Sequence, residues 1–248
     1  MPSSRQSIYY LIAINAVIFA MSFFLEMDEF DSLALYFPLN DQFNYWQIIT
    51  HMFMHGSIMH ILFNMFALWS FGTPLESSWK TWRFLLFYFV TGIGAAVIYS
   101  AVNYYQFTNI SNQITDLGYS AQSIQTLLNS GLADPNLLNQ MGKESLLEFI
   151  AIYNTPVVGA SGAIYGILVA FAFTYPKAKL SLIFLPFPIQ AKYFVPLLIS
   201  GDLFFGLTKY SIGNIAHFAH IGGALSALCI IVAYRLLQKP KADSDFLD

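Results

Sequence analysis

Three short polar clusters interrupt the apolar stretches of this 248-residue chain. They are THMFMHGSIMHILFN at 50–64 with His51, His55, His60 and Asn64, VVGASGAIYG at 157–166 with Ser161, and NIAHFAHIGG at 214–223 with His217 and His220. Together they contain all five histidines of the chain. Ionisable and polar residues in membrane spans are costly, so each cluster is a candidate functional site.

A serine and a histidine in such surroundings can perform acyl transfer. Serine is a weak nucleophile until a neighbouring base takes its proton, and His220 can take the proton of Ser161. Asp202 is the only intramembrane aspartate that could orient the imidazole, and nothing in its spacing ties it to His220. The sequence therefore predicts a Ser–His dyad and gives Asp202 a helix-pairing role.

Residues around the serine can support the same chemistry. His60 and Asn64 are four apart, so they share a helical face and offer two side-chain donors to an oxyanion. Gly159 permits a tight turn just before Ser161. Tyr165 lies one helical turn after Ser161 on the same face, where it can stack on or position His220.

The elements that carry these residues are predicted to be membrane helices. The chain is 56% hydrophobic and 10% charged, with a mean hydropathy of +0.56, whereas soluble domains carry about 25% charged residues. Apolar stretches predict six spans, at Ile8–Leu25, Ile58–Leu75, Trp82–Tyr104, Gly162–Tyr175, Tyr193–Leu207 and Asn214–Leu237. We expect one all-α membrane domain over 1–241 and a short cytoplasmic tail over 242–248.

A long polar insertion, residues 105–155, separates the third and fourth predicted spans. It contains two predicted helical stretches, Ser120–Asn129 and Pro135–Tyr153. A lid, a docking surface and an ordered spacer are all compatible with this sequence.

The distribution of basic residues predicts the orientation. Nine fall on one side of the six spans: Arg5, Lys80, Arg83, Lys177, Lys179, Lys192, Arg235, Lys239 and Lys241. Only Lys143 and Lys209 fall on the other. The positive-inside rule then places both termini in the cytoplasm. The second, fourth and sixth spans run inward from the outer face, so all three polar clusters lie in the outer half of the membrane.

Composition also argues against several classes of partner and cofactor. A net charge of −3 gives no reason to expect nucleic acid as a partner, and the single cysteine excludes an internal disulfide framework. We expect no cofactor and no metal. The alternative is a metal-dependent protein in which all five histidines supply ligands, since His51 and His55 have zinc-chelating spacing. No H-E-x-x-H motif is present, and no carboxylate lies among these histidines.

Taken singly, these residues have structural explanations. A serine flanked by glycines often marks helix packing, and an intramembrane histidine or asparagine often bonds a neighbouring helix. Their convergence at one depth on three co-directional helices favours a site.

The three clusters together resemble the rhomboid family. GASGAIYG at 159–166 resembles its G-x-S-G motif, HMFMHGSIMHILFNM at 51–65 its histidine-rich second-span motif, and AHIGGALSA at 219–227 its A-H-x-G-G signature. The resemblance covers about residues 8–237. In the first loop, residues 26–55, Gln47 follows Trp46 where the family commonly has arginine.

The resemblance implies an intramembrane serine endopeptidase with a six-transmembrane-helix rhomboid-like bundle. Ser161 would be the nucleophile and His220 the base, with His217 a second candidate base. His60, Asn64 and the Ser161 N–H would bind the oxyanion, Tyr165 would support His220, and His55 would help to hold water. Substrates would be single-pass transmembrane proteins in membrane lipid, and the location a bacterial plasma membrane. The other alternative is a non-enzymatic relative that binds such clients, although these generally lack the serine or the histidine.

Overall fold

The structure, a computed structural model, describes residues 6–24, 32–180, 187–208 and 216–237. Within these ranges the helices are α1 (Gln6–Phe19), α2 (Gln47–Thr50), α3 (Ile58–Ala67), α4 (Thr73–Ser78), α5 (Thr81–Asp116), α6 (Ala121–Ser130), α7 (Pro135–Met141), α8 (Lys143–Asn154), α9 (Ser161–Thr174), α10 (Ala191–Leu207) and α11 (His217–Leu237). Strands β1 (Lys179–Leu180) and β2 (Ile189–Gln190) form an antiparallel pair. The predicted tail 242–248 lies outside the described residues.

Three helical stretches are long and apolar enough to cross a membrane: Ile58–Ser78, Thr81–Asp116 and His217–Leu237. The first joins α3 to α4 through a π-helical turn, Leu68–Gly72. Shorter apolar helices cover Ser7–Ser22 and Ser161–Thr174. Helix α10 is also rich in apolar residues, so the chain is a membrane protein built from apolar helices.

The predicted boundaries around the insertion are wrong in two places. Helix α5 does not end near Tyr104 but continues to Asp116 over 36 residues, or about 54 Å at 1.5 Å per residue. The apolar pattern stops before the helix does, because a helix can continue in polar surroundings. The predicted helix Pro135–Tyr153 is divided into α7 and α8 at Gly142, whose φ of 79° ends the first of them.

The end of α5 and helices α6 to α8 share an apolar core of their own. Buried members include Ile114, Leu127, Leu146 and Phe149. This core also packs on the first loop, where the ring of Phe37 lies 4.8 Å from that of Phe107. The segment 105–155 is therefore an ordered helical layer attached to the first loop.

Glycines allow α5, α9 and α11 to pack at very short range. A Cβ added at Gly162 would lie 2.5 Å from the Cβ of Ala95, and one at Gly166 would lie 2.6 Å from the Cβ of Thr91. Both are closer than real Cβ contacts. Small residues allow this backbone approach, which is the usual means of packing helices in lipid.

Helices α9 and α11 run in the same direction. Ser161 and Gly162 at the start of α9 contact His220 and Gly223 near the start of α11. At the other ends, the guanidinium of Arg235 lies 5.0 Å from the Phe173 ring centroid.

The α3–α4 stretch runs the same way beside α9. His60 lies next to the residues that precede α9, and the Tyr175 hydroxyl at the far end of α9 donates to the Pro74 carbonyl at 3.2 Å. The predicted common direction of the three helices that carry the polar clusters is therefore what the structure shows.

Replacing Gly223 with alanine is expected to displace His220 from Ser161, and an ångström-scale misplacement of reacting groups typically lowers a reaction rate by roughly 10²-fold. The added Cβ would lie 1.8 Å from the Gly162 carbonyl oxygen, so α11 must move away from α9 and carry His220 with it. Gly201→Ala is the matched control, because a Cβ there meets nothing within 4 Å. Cleavage of a transmembrane reporter by the reconstituted protein measures both variants, and equal rates would contradict the expectation.

Candidate active site

Ser161 is the first residue of α9, and the segment before it is tied to the first loop. Val157 and Leu35 exchange backbone hydrogen bonds of 2.8 and 2.9 Å. The Gly159 N–H donates to the His51 carbonyl at 2.9 Å. The helical layer adds a further tie, since the Asn40 side chain donates to the Tyr153 carbonyl at 2.8 Å. The first loop and the helical layer therefore fix the position of Ser161.

Gly159 brings the backbone against a histidine of α3. Its φ of +125° is a conformation that side chains disfavour, and a Cβ there would lie 2.7 Å from His60 Nε2 and 3.6 Å from Ser161 Oγ. Both the positive φ and the short distance to His60 require glycine at this position. The same two distances show that the His60 imidazole lies on the Ser161 side of this turn.

Ser161 and His220 are in direct contact. Ser161 Oγ lies 2.9 Å from His220 Nε2, within the range for proton transfer between a nucleophile and its base. The His220 side chain is 14% exposed, so the pair lies in a largely enclosed site. The two residues, 59 apart in sequence, are joined by the parallel packing of α9 and α11.

Tyr165 supports His220 from the side. The two rings are stacked, with centroids 4.2 Å apart and an interplanar angle of 12°. The Tyr165 hydroxyl donates to Asp202 Oδ2. This stacking is what the one-turn spacing from Ser161 suggested.

Asp202 on α10 is the functional candidate that the sequence did not bring to the site. Its Oδ1 lies 3.2 Å from His220 Nδ1 and 2.5 Å from His217 Nδ1. The expectation that Asp202 serves only to pair helices, apart from His220, is therefore corrected. The sequence signal for Asp202 is a single carboxylate in an apolar helix. Such a residue indicates a functional role, but the sequence does not show which residue it contacts.

His60 and Asn64 lie on α3 beside this group. Asn64 is buried, and its Nδ2 donates to the His60 carbonyl at 2.9 Å. An amide nitrogen carries two hydrogens, so this bond occupies one of two donors. The His60 imidazole lies next to Gly159, where it can donate to an oxyanion at Ser161, and Asn64 lies one helical turn after His60 on α3.

His51 and His55 are buried and electrically neutral at pH 7. Burial lowers the pKa of His51 to about 4, against backbone hydrogen bonds that favour its charged form, and its Nδ1 donates to the Gln47 carbonyl at 2.8 Å. Burial first, and the neighbouring His60 second, lower the pKa of His55 to about 3. The His55 and His60 ring centroids are 5.0 Å apart. His51 thus supports the loop, and His55 packs behind His60.

The melting temperature is expected to fall as the pH is lowered from about 7 to about 5. Histidines in the unfolded chain titrate near pH 6.5, whereas the folded pKa values of His51 and His55 are about 4 and about 3. Below pH 6.5 the unfolded state binds more protons, so the free energy of unfolding is greatest above that pH and falls toward acid. Thermal unfolding against pH measures this, and His55→Gln should give a shallower decrease. A constant melting temperature would contradict it.

Gln47 anchors the first loop through its side-chain amide. It is fully buried, and its Oε1 accepts from the backbone N–H groups of Tyr36 and Asn44 at 3.2 and 3.1 Å. Its Nε2 donates to the Ser32 and Gln42 carbonyls at 3.1 and 2.8 Å. An arginine could not make the two accepting bonds, because a guanidinium has donors and no acceptor.

A cavity of about 280 Å³ lies between the first loop and the segment before α9. Its walls include Tyr36, Met54, His55 and Val158. It adjoins the site because His55 packs on His60.

Asp202, His217 and His220 could also ligate a metal, since their donor atoms lie within 4.8 Å of one another. No other group of three such residues was found among the described residues. His217 Nδ1 and Asp202 Oδ1 lie 2.5 Å apart, so two of these donor atoms are already in hydrogen-bond contact with each other. Among the described residues, His51, His55 and His60 belong to no such group of three, so the five-histidine metal site is not assembled there.

Comparison with known proteins identifies the family of the chain. The family model described as "Rhomboid domain" matches residues 42–236. The chain belongs to the rhomboid family. The match covers the site and every helix from α2 to α11.

Relatives of this rhomboid come from bacteria and from organelles. It is 26% identical to "RHOMBOID-like protein 12, mitochondrial" of Arabidopsis thaliana, over 91% of this chain and 57% of the relative. It is 29% identical to "Rhomboid protease AarA" of Providencia stuartii, over 78% and 57%. It is 25% identical to "Rhomboid-like protein 11, chloroplastic" of Arabidopsis thaliana, over 98% and 70%. The chain thus spans 57% of the length of the first two. Relatives named mitochondrial or chloroplastic give no support to the predicted bacterial plasma membrane.

Proposed function

We propose that this rhomboid is a serine endopeptidase that cleaves membrane-spanning segments of other proteins. The observation that carries the proposal is the 2.9 Å contact between Ser161 Oγ and His220 Nε2 at the start of two parallel helices. It supplies a nucleophile and base in hydrogen-bond contact within an apolar bundle, as acyl transfer requires.

The reaction follows from this geometry. His220 Nε2 takes the proton of Ser161 as Oγ attacks the carbonyl carbon of the scissile peptide bond. His60, Asn64 and the Ser161 N–H donate to the oxyanion of the tetrahedral intermediate. The protonated His220 then gives its proton to the leaving amine, which breaks the C–N bond and leaves an acyl ester on Ser161. Water, deprotonated by His220, attacks the ester and releases the second product.

The proposed substrates are single-pass transmembrane proteins in membrane lipid. A helix hides its peptide bonds, so a span must unwind locally to reach Ser161, and spans of low helical stability are favoured. The enclosure around Ser161 and His220 favours a small residue at the cleaved position.

The proposed topology has six spans and both termini on the side rich in lysine and arginine. Ser161, His60 and His220 then lie in the opposite half of the membrane. Residues 105–155 lie on that same side, above the site.

Cleavage of a reporter in liposomes tests the proposal. The purified protein is reconstituted with a single-pass substrate whose span carries small, helix-destabilising residues, with and without a zinc chelator. We expect cleavage within the span that the chelator does not change. Chelator-sensitive cleavage would instead identify a metal enzyme that uses Asp202, His217 and His220. Binding without cleavage would identify a client-binding relative.

A further inference from the structure

We propose that Asp202 is a positioning residue that sets the orientation and tautomer of His220, with Tyr165 and His217 holding its carboxylate in place. The inference rests on the proposed serine protease function. It replaces the dyad predicted from the sequence with a connected group of five side chains. Asp202, Tyr165 and His217 act through His220, the base that contacts Ser161.

The tautomer follows from the chemistry of the carboxylate. An ionised carboxylate can only accept hydrogen bonds, so in the 3.2 Å contact His220 Nδ1 donates to Asp202 Oδ1. The single proton of a neutral imidazole is then on Nδ1. Nε2 is left with a lone pair directed at Ser161 Oγ, 2.9 Å away. The opposite tautomer would place a hydrogen at Nε2 and prevent His220 from acting as a base.

Both oxygens of the carboxylate are held. Tyr165 donates its hydroxyl to Oδ2, and His217 Nδ1 lies 2.5 Å from Oδ1. The side chains of Asp202 and His217 are 8% and 7% exposed, so water competes little for these contacts. The carboxylate is therefore fixed between helices α9, α10 and α11 and cannot rotate away from His220.

The Tyr165 side chain connects the carboxylate to the base a second time. Its ring stacks on His220 at 4.2 Å while its hydroxyl bonds Asp202. The imidazole plane is thus fixed by stacking and its in-plane direction by the Nδ1 contact. Positioned charge next to a developing imidazolium also stabilises the transition state, and more so in a poorly hydrated site.

His217 contacts the same carboxylate oxygen as His220. Its Nδ1 contacts Oδ1, which the His220 Nδ1 also contacts. His217 therefore acts as a support for Asp202 rather than as the base. Its ring also stacks near Phe205 of α10, with centroids 5.9 Å apart, which keeps α10 and α11 in register.

The test compares Asp202→Asn with Glu76→Gln in liposomes. Glu76 is the matched control because its buried carboxylate accepts from Ser7 and Thr81, side chains outside the site. The asparagine can present an N–H to His220 Nδ1 and impose the wrong tautomer. We expect Asp202→Asn to lower kcat by roughly 10²- to 10⁴-fold with KM within threefold, as for aspartates that orient a catalytic histidine. Glu76→Gln should lower the melting temperature and leave kcat per folded molecule unchanged.

His217→Ala should lower kcat by about tenfold, because Asp202 then loses one of the hydrogen bonds that hold its carboxylate in place.

Folded Asp202→Asn enzyme with kcat within threefold of wild type would overturn the inference. A rise in KM equal to the loss in kcat/KM would also overturn it, because Asp202 would then act on substrate binding. Should Asp202→Asn fail to fold, Asp202→Glu keeps the charge but moves the carboxylate by one methylene. It is expected to lower kcat at least tenfold at unchanged KM, and a wild-type kcat would refute the geometric role. A fully active Asp202→Asn beside an inactive Ser161→Ala would sink this inference and leave the proposed function standing.

Discussion

Ser161→Ala is expected to lower cleavage of a reconstituted transmembrane reporter by roughly 10⁴- to 10⁶-fold, the loss seen when serine hydrolases lose their nucleophile. Ser161 Oγ is the atom in contact with the base, at 2.9 Å from His220 Nε2. Alanine removes that atom without adding volume, so the packing of α9 against α5 and α11 is preserved. The thermal unfolding of the variant should match that of wild type.

The matched control for this experiment is Ser226→Ala. Ser226 is also an intramembrane serine, and its hydroxyl donates to the Gly222 carbonyl of its own helix at 2.8 Å. This variant loses a hydroxyl but no part of the site, so cleavage is expected to continue at the wild-type rate. Substantial cleavage by Ser161→Ala would overturn the assignment of the nucleophile.

His220→Ala is expected to cause a loss of the same order, because the nucleophile and its base act as one unit. Adding Ser161→Ala to His220→Ala should therefore lower cleavage little further.

Comparing His220→Ala with His217→Ala decides which of the two histidines of α11 is the base, since they lie one helical turn apart. Since His217 contacts Asp202 and His220 contacts Ser161, the His220 variant should be far less active. Equal losses, or a larger loss for His217, would contradict the assignment of the base.

The sequence predicted which residues lie together at the site more fully than it predicted the hydrogen bonds between them. Ser161, His60 and His220 could be brought together because the positive-inside rule orders three helices in one direction. Asp202 could not be added by the same reasoning. Asp202 lies on α10, which runs antiparallel to those three helices. Its contact with His220 depends on the rotation of α10 about its own axis. Rotation of a helix that is apolar on most sides leaves little trace in sequence.

The insertion and the first loop also have boundaries and contacts that the sequence does not predict. A hydropathy pattern marks where α5 leaves an apolar environment but not where the helix ends, so its continuation to Asp116 was missed. The sequence marks Gln47 only as a departure from the family, whereas in the structure its amide bonds four backbone groups of the first loop. Those bonds are set by the fold of a short irregular loop, which motif comparison does not describe.

The most direct test of the central claim is covalent labelling with a fluorophosphonate probe, with the modified residue identified by mass spectrometry. The probe reacts with a serine whose proton is removed by a neighbouring base. We predict a single adduct on Ser161 in the wild-type protein, none in Ser161→Ala, and labelling at least roughly 10²-fold slower in His220→Ala, the contribution typical of a positioned general base. An adduct on another residue, or unchanged labelling of Ser161 without His220, would contradict a mechanism in which His220 activates Ser161.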